Sequence, residues 1–309
     1  QGGYQYWRAA DCLEFTSHGY DGYVFDENGT KIDFKGYRAD KINDFALEYL
    51  DNCDKSKPFF MFVSQLEPHH QNDRRRFEGY KDTVDNYKAY PIPDDLTFLK
   101  GDYEEMYPDY ISAINRLDYN FGRLVNKLKE LGIYDDTVLI YSSDHRCHDS
   151  SIHTPLIIKG GGFNGGRIEK RLVSLIDIPP TLLSLAEIPI PSEYAGFDLT
   201  KQIENKSEAR KCVFMQISES QCGRAIRTPK YMYSVRDIRP GGALRASSKV
   251  YFEDYLYDLE KDPNEKTNLI KSPEYAEIRQ DLKYMLIDEM KAAGEEEPVI
   301  LPALWVRKK

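Results

Sequence analysis

The sequence contains no long apolar run, no closely paired cysteines and no excess of positive charge. Nothing in its 309 residues approaches the ~20 consecutive apolar positions of a membrane span, so no membrane-embedded role is expected. The five cysteines (Cys12, Cys53, Cys147, Cys212, Cys222) are odd in number and widely spaced, with no CxxC. They read as reduced thiols rather than a disulfide framework, which favours a reducing, cytoplasmic compartment. A formal net charge of −9 argues against nucleic acid as a partner, because a phosphate backbone demands a basic face. It leaves an anionic small molecule open, since a bound cation inverts the local field. The metalloprotease HExxH, the hydrolase GxSxG and the Walker phosphate loop are also missing. The opening QGGYQYWRAADCLEF has neither a basic nor an apolar leader region. It is not expected to be a signal peptide and reads as a start in mid-protein.

The residues that are present describe a globular chain. Mean hydropathy is −0.61, and the length suits one α/β core with a smaller lobe. Residues 1–38 read as loops with short strands. YRADKINDFALEYLDNC places Ile42, Phe45, Ala46 and Leu50 on one helical face, whereas Phe59–Val63 is a short aromatic run of the kind found in buried strands. Residues 71–105 are charged, contain proline and show no period, as a long surface excursion would. DYISAINRLDYNFGRLVNKLKELG is the clearest helix, striped by Ile111, Ile114, Leu117, Phe121, Leu124, Leu128 and Leu131 and closed by Gly132. Val138–Tyr141 and Pro155–Lys159 predict two more strands, and Pro179 or Pro180 opens a short helix.

Strands alternating with helices imply an α/β fold, with a largely parallel mixed sheet flanked by helices. Beyond about Lys211 the texture changes to short alternating strands (CVFMQIS, GRAIRT, KYMYSVR, YLYDLE) and a final helix, EYAEIRQDLKYMLIDEMKAAG. The expected organisation is a core over 1–208 and a smaller antiparallel α+β subdomain over 209–309.

Histidine is concentrated. Apart from His18, every histidine lies either at His69 and His70 or at His145, His148 and His153, and both groups come directly after a predicted buried strand. In open α/β sheets ligands bind beyond the carboxyl ends of strands. EPHHQND and SSDHRCHD would therefore gather imidazoles, carboxylates and a carboxamide, a set suited to a divalent metal, an oxyanion, or both. Adjacent residues of an extended segment point opposite ways, so one of His69 and His70 is expected to face the site and the other to pack. Asp73, Asp149 and His153 are further candidates. GGGFNGG is read as a turn, the Tyr-rich KVYFEDYLYDLE as strand core, and DEMKAAGEEEP as a solvated face.

The order PFFMFVSQLEPHH, then DYISAINRLDYNFGRLVNKLKELGIYDDTVLIYSSDH, then TPLIIKGGGF, then VSLIDIPPTLLSLAEIPIP resembles the sulfatases of the alkaline-phosphatase superfamily. The tail AIRTPKYMYSV…YLYDLEKDPNEKTNL is similar to their C-terminal subdomain, and the likeness runs from about Lys57 to Leu269. It implies a sulfuric ester hydrolase acting on a sulfated sugar or small molecule. It assigns Asp144 and His145 to a divalent metal, most simply calcium, and makes His69 the histidine that contacts the sulfate or the leaving-group oxygen. His148 becomes a substrate-side residue. His145 stands where the commonest family pattern has asparagine, and its softer nitrogen leaves room for a different ion.

The departures from the pattern are equally specific. The family's formylglycine arises from Cys/Ser-x-Pro-x-Arg, and no cysteine or serine here begins that motif. The opening strand with its metal-binding aspartates is also missing. A loop that relatives place after Asp-His is absent, so the density of YSSDHRCHDSSIH reads as two parts of a site brought together. The resemblance thus covers roughly the C-terminal two thirds of a sulfatase. A phosphodiesterase or phosphonate hydrolase of the same superfamily, and a catalytically inactive anion-binding fragment, are the competing expectations.

Overall fold

The computed structural model describes residues 2–97, 101–144, 153–204 and 209–307. His145, His148 and Asp149 lie outside the described residues. The chain divides into two compact units, Gln1–Thr137 and Val138–Lys309. The boundary expected at 208/209 falls inside the second unit, just before its large sheet begins.

The first unit opens with an antiparallel meander of β1 (Ser17–His18), β2 (Asp21–Phe25) and β3 (Lys31–Lys35). Val24 and Phe34 of this sheet pack on Ile42 of the helix Arg38–Asn52, which buries Ile42, Ala46 and Leu50 on the face its period predicts. The long helix Tyr103–Glu130 runs beside it and ends before Gly132, whose φ of +71° supplies the left-handed residue a helix terminus needs. A ladder of ion pairs joins the two helices. Arg116 forks onto Asp40 at 2.7 and 2.8 Å, Arg123 reaches Asp44 at 2.7 Å, and Lys127 reaches Asp51 at 3.0 Å.

Phe59–Val63 departs from expectation. The segment has a strand's alternation, with Phe59, Met61 and Val63 half-buried, but it pairs with no strand among the described residues. Phe59 packs against Tyr49 and Val63 against the Val24 cluster, while Phe60 and Phe62 are 58% and 71% exposed. Its apolar character is therefore satisfied on one face only.

The second unit begins with β4 (Leu139–Ser142) and β5 (Leu156–Lys159), paired antiparallel with Tyr141 opposite Ile157. GGGFNGG forms a turn closed by a Gly160–Phe163 bridge. A side chain at Gly161 would run into Leu185. The buried Asp177 organises the segment from Ser174 to Arg210: it accepts hydrogen bonds from the backbone N–H groups of Ser174 and Phe197, both at 2.7 Å, and from Arg210. The helix Ile178–Leu185 starts on Pro179 and Pro180, as anticipated.

From residue 213 the chain builds a five-stranded sheet of order β10-β9-β8-β7-β6, comprising β6 (Val213–Ser218), β7 (Cys222–Arg227), β8 (Tyr231–Arg236), β9 (Val250–Asp258) and β10 (Val299–Leu301). All neighbours are antiparallel except β9 and β10. The helix Ala276–Ala292 covers it with Leu282, Leu286 and Met290, spaced i, i+4, i+8, against Ile226, Tyr233 and Leu256. The α/β architecture with a C-terminal sheet subdomain is thus present.

Two outcomes are expected of variants in the second unit. Leu286 is wholly buried, so Leu286→Ala should lower the unfolding free energy by about 2–5 kcal/mol, measurable by urea titration. Glu169 accepts hydrogen bonds from Arg171 and Arg167, which hold its carboxyl at about 2 against an ordinary 4.5. A depressed carboxylate contributes stability that is present above its unfolded pKa and lost as pH falls through the folded one. The urea midpoints of wild type and Glu169→Gln should differ at pH 7 and converge as the pH drops from 4.5 towards 2.

Candidate functional site

His69 sits in the first unit on a turn that the interior of the protein holds in place. The peptide Glu67–Pro68 is cis, and the His69 N–H donates to the Leu66 carbonyl at 2.9 Å. Beneath the turn lies Arg38, only 1% exposed, in the first turn of its helix. Its Nε donates to Glu67 Oε1 at 3.0 Å, and its Nη1 donates to Gln71 Oε1 and Ser17 Oγ, both at 3.2 Å. Arg38 thus ties both ends of the Glu67–Gln71 segment to β1. Burial pushes the Glu67 carboxyl above its ordinary range, against the pull of the guanidinium, and Glu67 Oε2 is buried without a hydrogen-bond partner among the described residues.

The two adjacent histidines differ in their surroundings. His70 packs edge-on against Phe77, with ring centroids 5.2 Å apart, and its Nδ1 meets Asn72 Oδ1 at 3.2 Å. His69 is exposed and its imidazole has no partner among the described residues. A ring presented in this way can donate a hydrogen bond or a proton to a ligand without first breaking an internal contact.

Asp73 is engaged elsewhere. Its Oδ1 accepts from Gln71 Nε2 at 2.8 Å and its Oδ2 lies 2.9 Å from His18 Nε2; these bonds hold its carboxyl below the usual range. The His18 Nδ1 lies 3.7 Å from Asp21 Oδ1. Gln71, 1% exposed, therefore links the buried arginine clamp to an exposed Asp–His–Asp string. Sequence reasoning set His18 aside and did not single out Arg38, because 55 residues separate His18 from Asp73 and 29 separate Arg38 from Glu67. The only local hint was that Glu67 and Gln71 bracket the histidine pair in EPHHQ.

In the second unit, Asp144 stands exposed two residues beyond β4, with no hydrogen bond or ion pair among the described residues. His153 is exposed ahead of β5. Calcium requires roughly six to eight oxygen ligands. Among the described residues no group of three or more His, Cys, Asp or Glu side chains converges as a metal site would require. Asp144 is a hard oxygen donor of the right kind, but the described residues do not by themselves make a cation site.

Comparison with known proteins identifies the family. Residues 2–188 match the family model described as Sulfatase, and residues 141–292 match the model described as N-sulphoglucosamine sulphohydrolase, C-terminal. An N-acetylglucosamine-6-O-sulfatase of Bacteroides thetaiotaomicron is 24% identical, the match covering 89% of this chain and 65% of the relative. An ulvan-active sulfatase of Formosa agariphila is 26% identical, covering 95% of this chain and 60% of the relative. The chain thus spans under two thirds of the length of these curated relatives. A solved structure of a protein in complex with its substrate D-glucosamine-2-N,6-O-disulfate superposes with a TM-score of 0.73 at 20% identity, over 96% of this chain and 78% of that one. At that identity the superposition speaks for the fold. The family model spans more than half of the sequence, through the clamped histidine turn and on past β5, and the chain belongs to the sulfatase family.

Proposed function

We propose that the protein hydrolyses a sulfate ester of a sugar, with His69 serving the oxygen that remains on the sugar. The observation that carries this reading is the exposed His69 imidazole, without a partner among the described residues, on a turn anchored by the buried Arg38–Glu67 pair. As a sulfate ester breaks, negative charge gathers on the departing oxygen, and an imidazole N–H aimed at it stabilises that charge or supplies the proton. A turn fixed from below keeps the donor in place at no reorganisation cost. Family membership and the sulfated sugars named for the relatives support the substrate class.

His148 is assigned to the substrate side, and Asp144 with His145 to the divalent ion, calcium, that the resemblance implies. A formylglycine nucleophile belongs to the same expectation and has no source motif in this sequence. The test is release of inorganic sulfate, followed by ion chromatography, from 6-O-sulfated N-acetylglucosamine, a disulfated glucosamine and an aryl sulfate. Sulfate release from a sulfated sugar is the expected result. Turnover of an aryl phosphonate in place of every sulfate would move the protein to the phosphonate hydrolases, and turnover of neither would leave only an anion-binding role.

A further inference from the structure

The first unit holds an open cleft of about 560 Å³ between the end of β3, the helix Arg38–Asn52, residues 80–82 and the helix Tyr103–Glu130. That volume lies in the range of small-ligand sites. One part of its lining is assembled in advance. The Arg116 guanidinium, forked onto Asp40, lies 4.0 Å from the Tyr80 ring centroid and 4.2 Å from that of Tyr119. Its charge is neutralised and its plane is fixed.

The remaining charges do not cancel. Lys35, Lys41, Lys81, Arg116 and Arg123 line the cleft against Asp40, Asp44 and Asp82, five cations to three carboxylates, within a chain of net charge −9. Asp40 is used by Arg116, and Asp44 by both Arg123 and Lys41, at 2.7 and 3.0 Å. Lys35 and Lys81 have no carboxylate partner among the described residues; the Lys81 ammonium lies 4.1 Å from the Tyr20 ring centroid. Two ammonium groups without an ion pair among the described residues therefore share a cleft with Asp82 and with the Tyr119 ring, which is 54% exposed, and the cleft carboxylates can accept hydroxyl hydrogens. This mixture suits a ligand with hydroxyl donors, an apolar ring edge and an anionic substituent.

We propose that this cleft is a non-catalytic binding site for a sulfated oligosaccharide, with Lys35 and Lys81 taking sulfate groups and Tyr119 supporting a sugar ring. The identity of the ligand as a sulfated sugar rests on the function proposed above; the capacity for an anion rests on the two lysines alone. The test is isothermal titration of the full-length protein with a heparin-derived tetrasaccharide, its desulfated counterpart and inorganic sulfate. His69→Ala serves as background so that turnover does not contribute heat. The sulfated tetrasaccharide should bind, with affinity falling about tenfold for each lysine removed in Lys35→Ala and Lys81→Ala. Tyr119→Ala should weaken binding further, and the desulfated sugar should not bind.

In the wild-type background the lysine double variant should keep its melting temperature and its release of sulfate from a monosaccharide. Unchanged affinity in the double variant overturns the proposal, as does inorganic sulfate binding as tightly as the tetrasaccharide. Lysine-dependent binding without hydrolysis of any sulfated sugar would sink the catalytic reading and leave the binding site standing. Hydrolysis without lysine-dependent binding would do the reverse.

Discussion

Replacing Arg38 with alanine is expected to lower the unfolding free energy by about 3–5 kcal/mol, because it strands a buried charge rather than merely removing a contact. Four acceptors lose a donor together: Glu67 Oε1, Gln71 Oε1, Ser17 Oγ and the Ser17 carbonyl. Glu67 already has one buried oxygen without a partner among the described residues and is pushed upward by burial. Without the guanidinium its carboxyl would take up a proton or draw in water, and either loosens the turn. Glu67→Gln keeps a hydrogen-bonding side chain but leaves the Arg38 guanidinium, which cannot shed its proton, buried without a counter-charge, so its cost should also be about 3–5 kcal/mol. The check is urea unfolding of both variants at neutral pH. A loss below about 1 kcal/mol for Arg38→Ala would show that the pair can be solvated, and the anchored turn would lose its support. An apolar double replacement, Arg38→Met with Glu67→Leu, separates two roles. It should recover much of the stability, yet sulfate release should stay low, because the His69 turn then keeps only the Asp73–His18 contact and the weaker Gln71 bonds to the Ser17 and Glu14 carbonyls.

His69→Ala should reduce kcat for the sulfated sugar by about 10²–10⁴, the span associated with loss of a positioned proton donor. Stability should move by no more than about 0.5 kcal/mol, since the ring is exposed and makes no internal hydrogen bond among the described residues. His70→Ala provides the contrast. That ring packs on Phe77 and bonds to Asn72, so its loss should appear mainly in the urea midpoint. Kinetics and unfolding curves on the two alanine variants decide the matter. If His70→Ala carried the larger kcat loss, the roles of the adjacent histidines would have to be exchanged.

The elements that could be read in advance are those whose signal is local. The helix Arg38–Asn52 shows its period within its own residues, as do the long helix closed by Gly132 and the alternating strands from 213 to 258. β10 was not legible: three residues carry no period, and its parallel partner lies some fifty positions earlier, with Val299 opposite Val250. Phe59–Val63 misled because five apolar residues in a row cannot announce that only one of their two faces will be covered. The same division runs through the candidate site. The histidine density and the family pattern stand in the sequence, and they put His69 and Asp144 forward as candidates. The arginine beneath the turn and the His18–Asp73 contact did not, because folding alone makes them neighbours. His145 and His148 rest on the resemblance.

The bare side of Phe59–Val63 has a practical consequence. It presents two large aromatic rings on an extended backbone that makes no ladder hydrogen bonds among the described residues. Such a strip is a template on which a second extended chain can align, contributing hydrogen bonds along one edge and apolar contact along the other. Self-association of the purified protein would begin there, favoured by warmth and by structure-promoting salts that strengthen apolar contact. Phe60→Lys or Phe62→Lys is expected to reduce such association, as light scattering on warming would show.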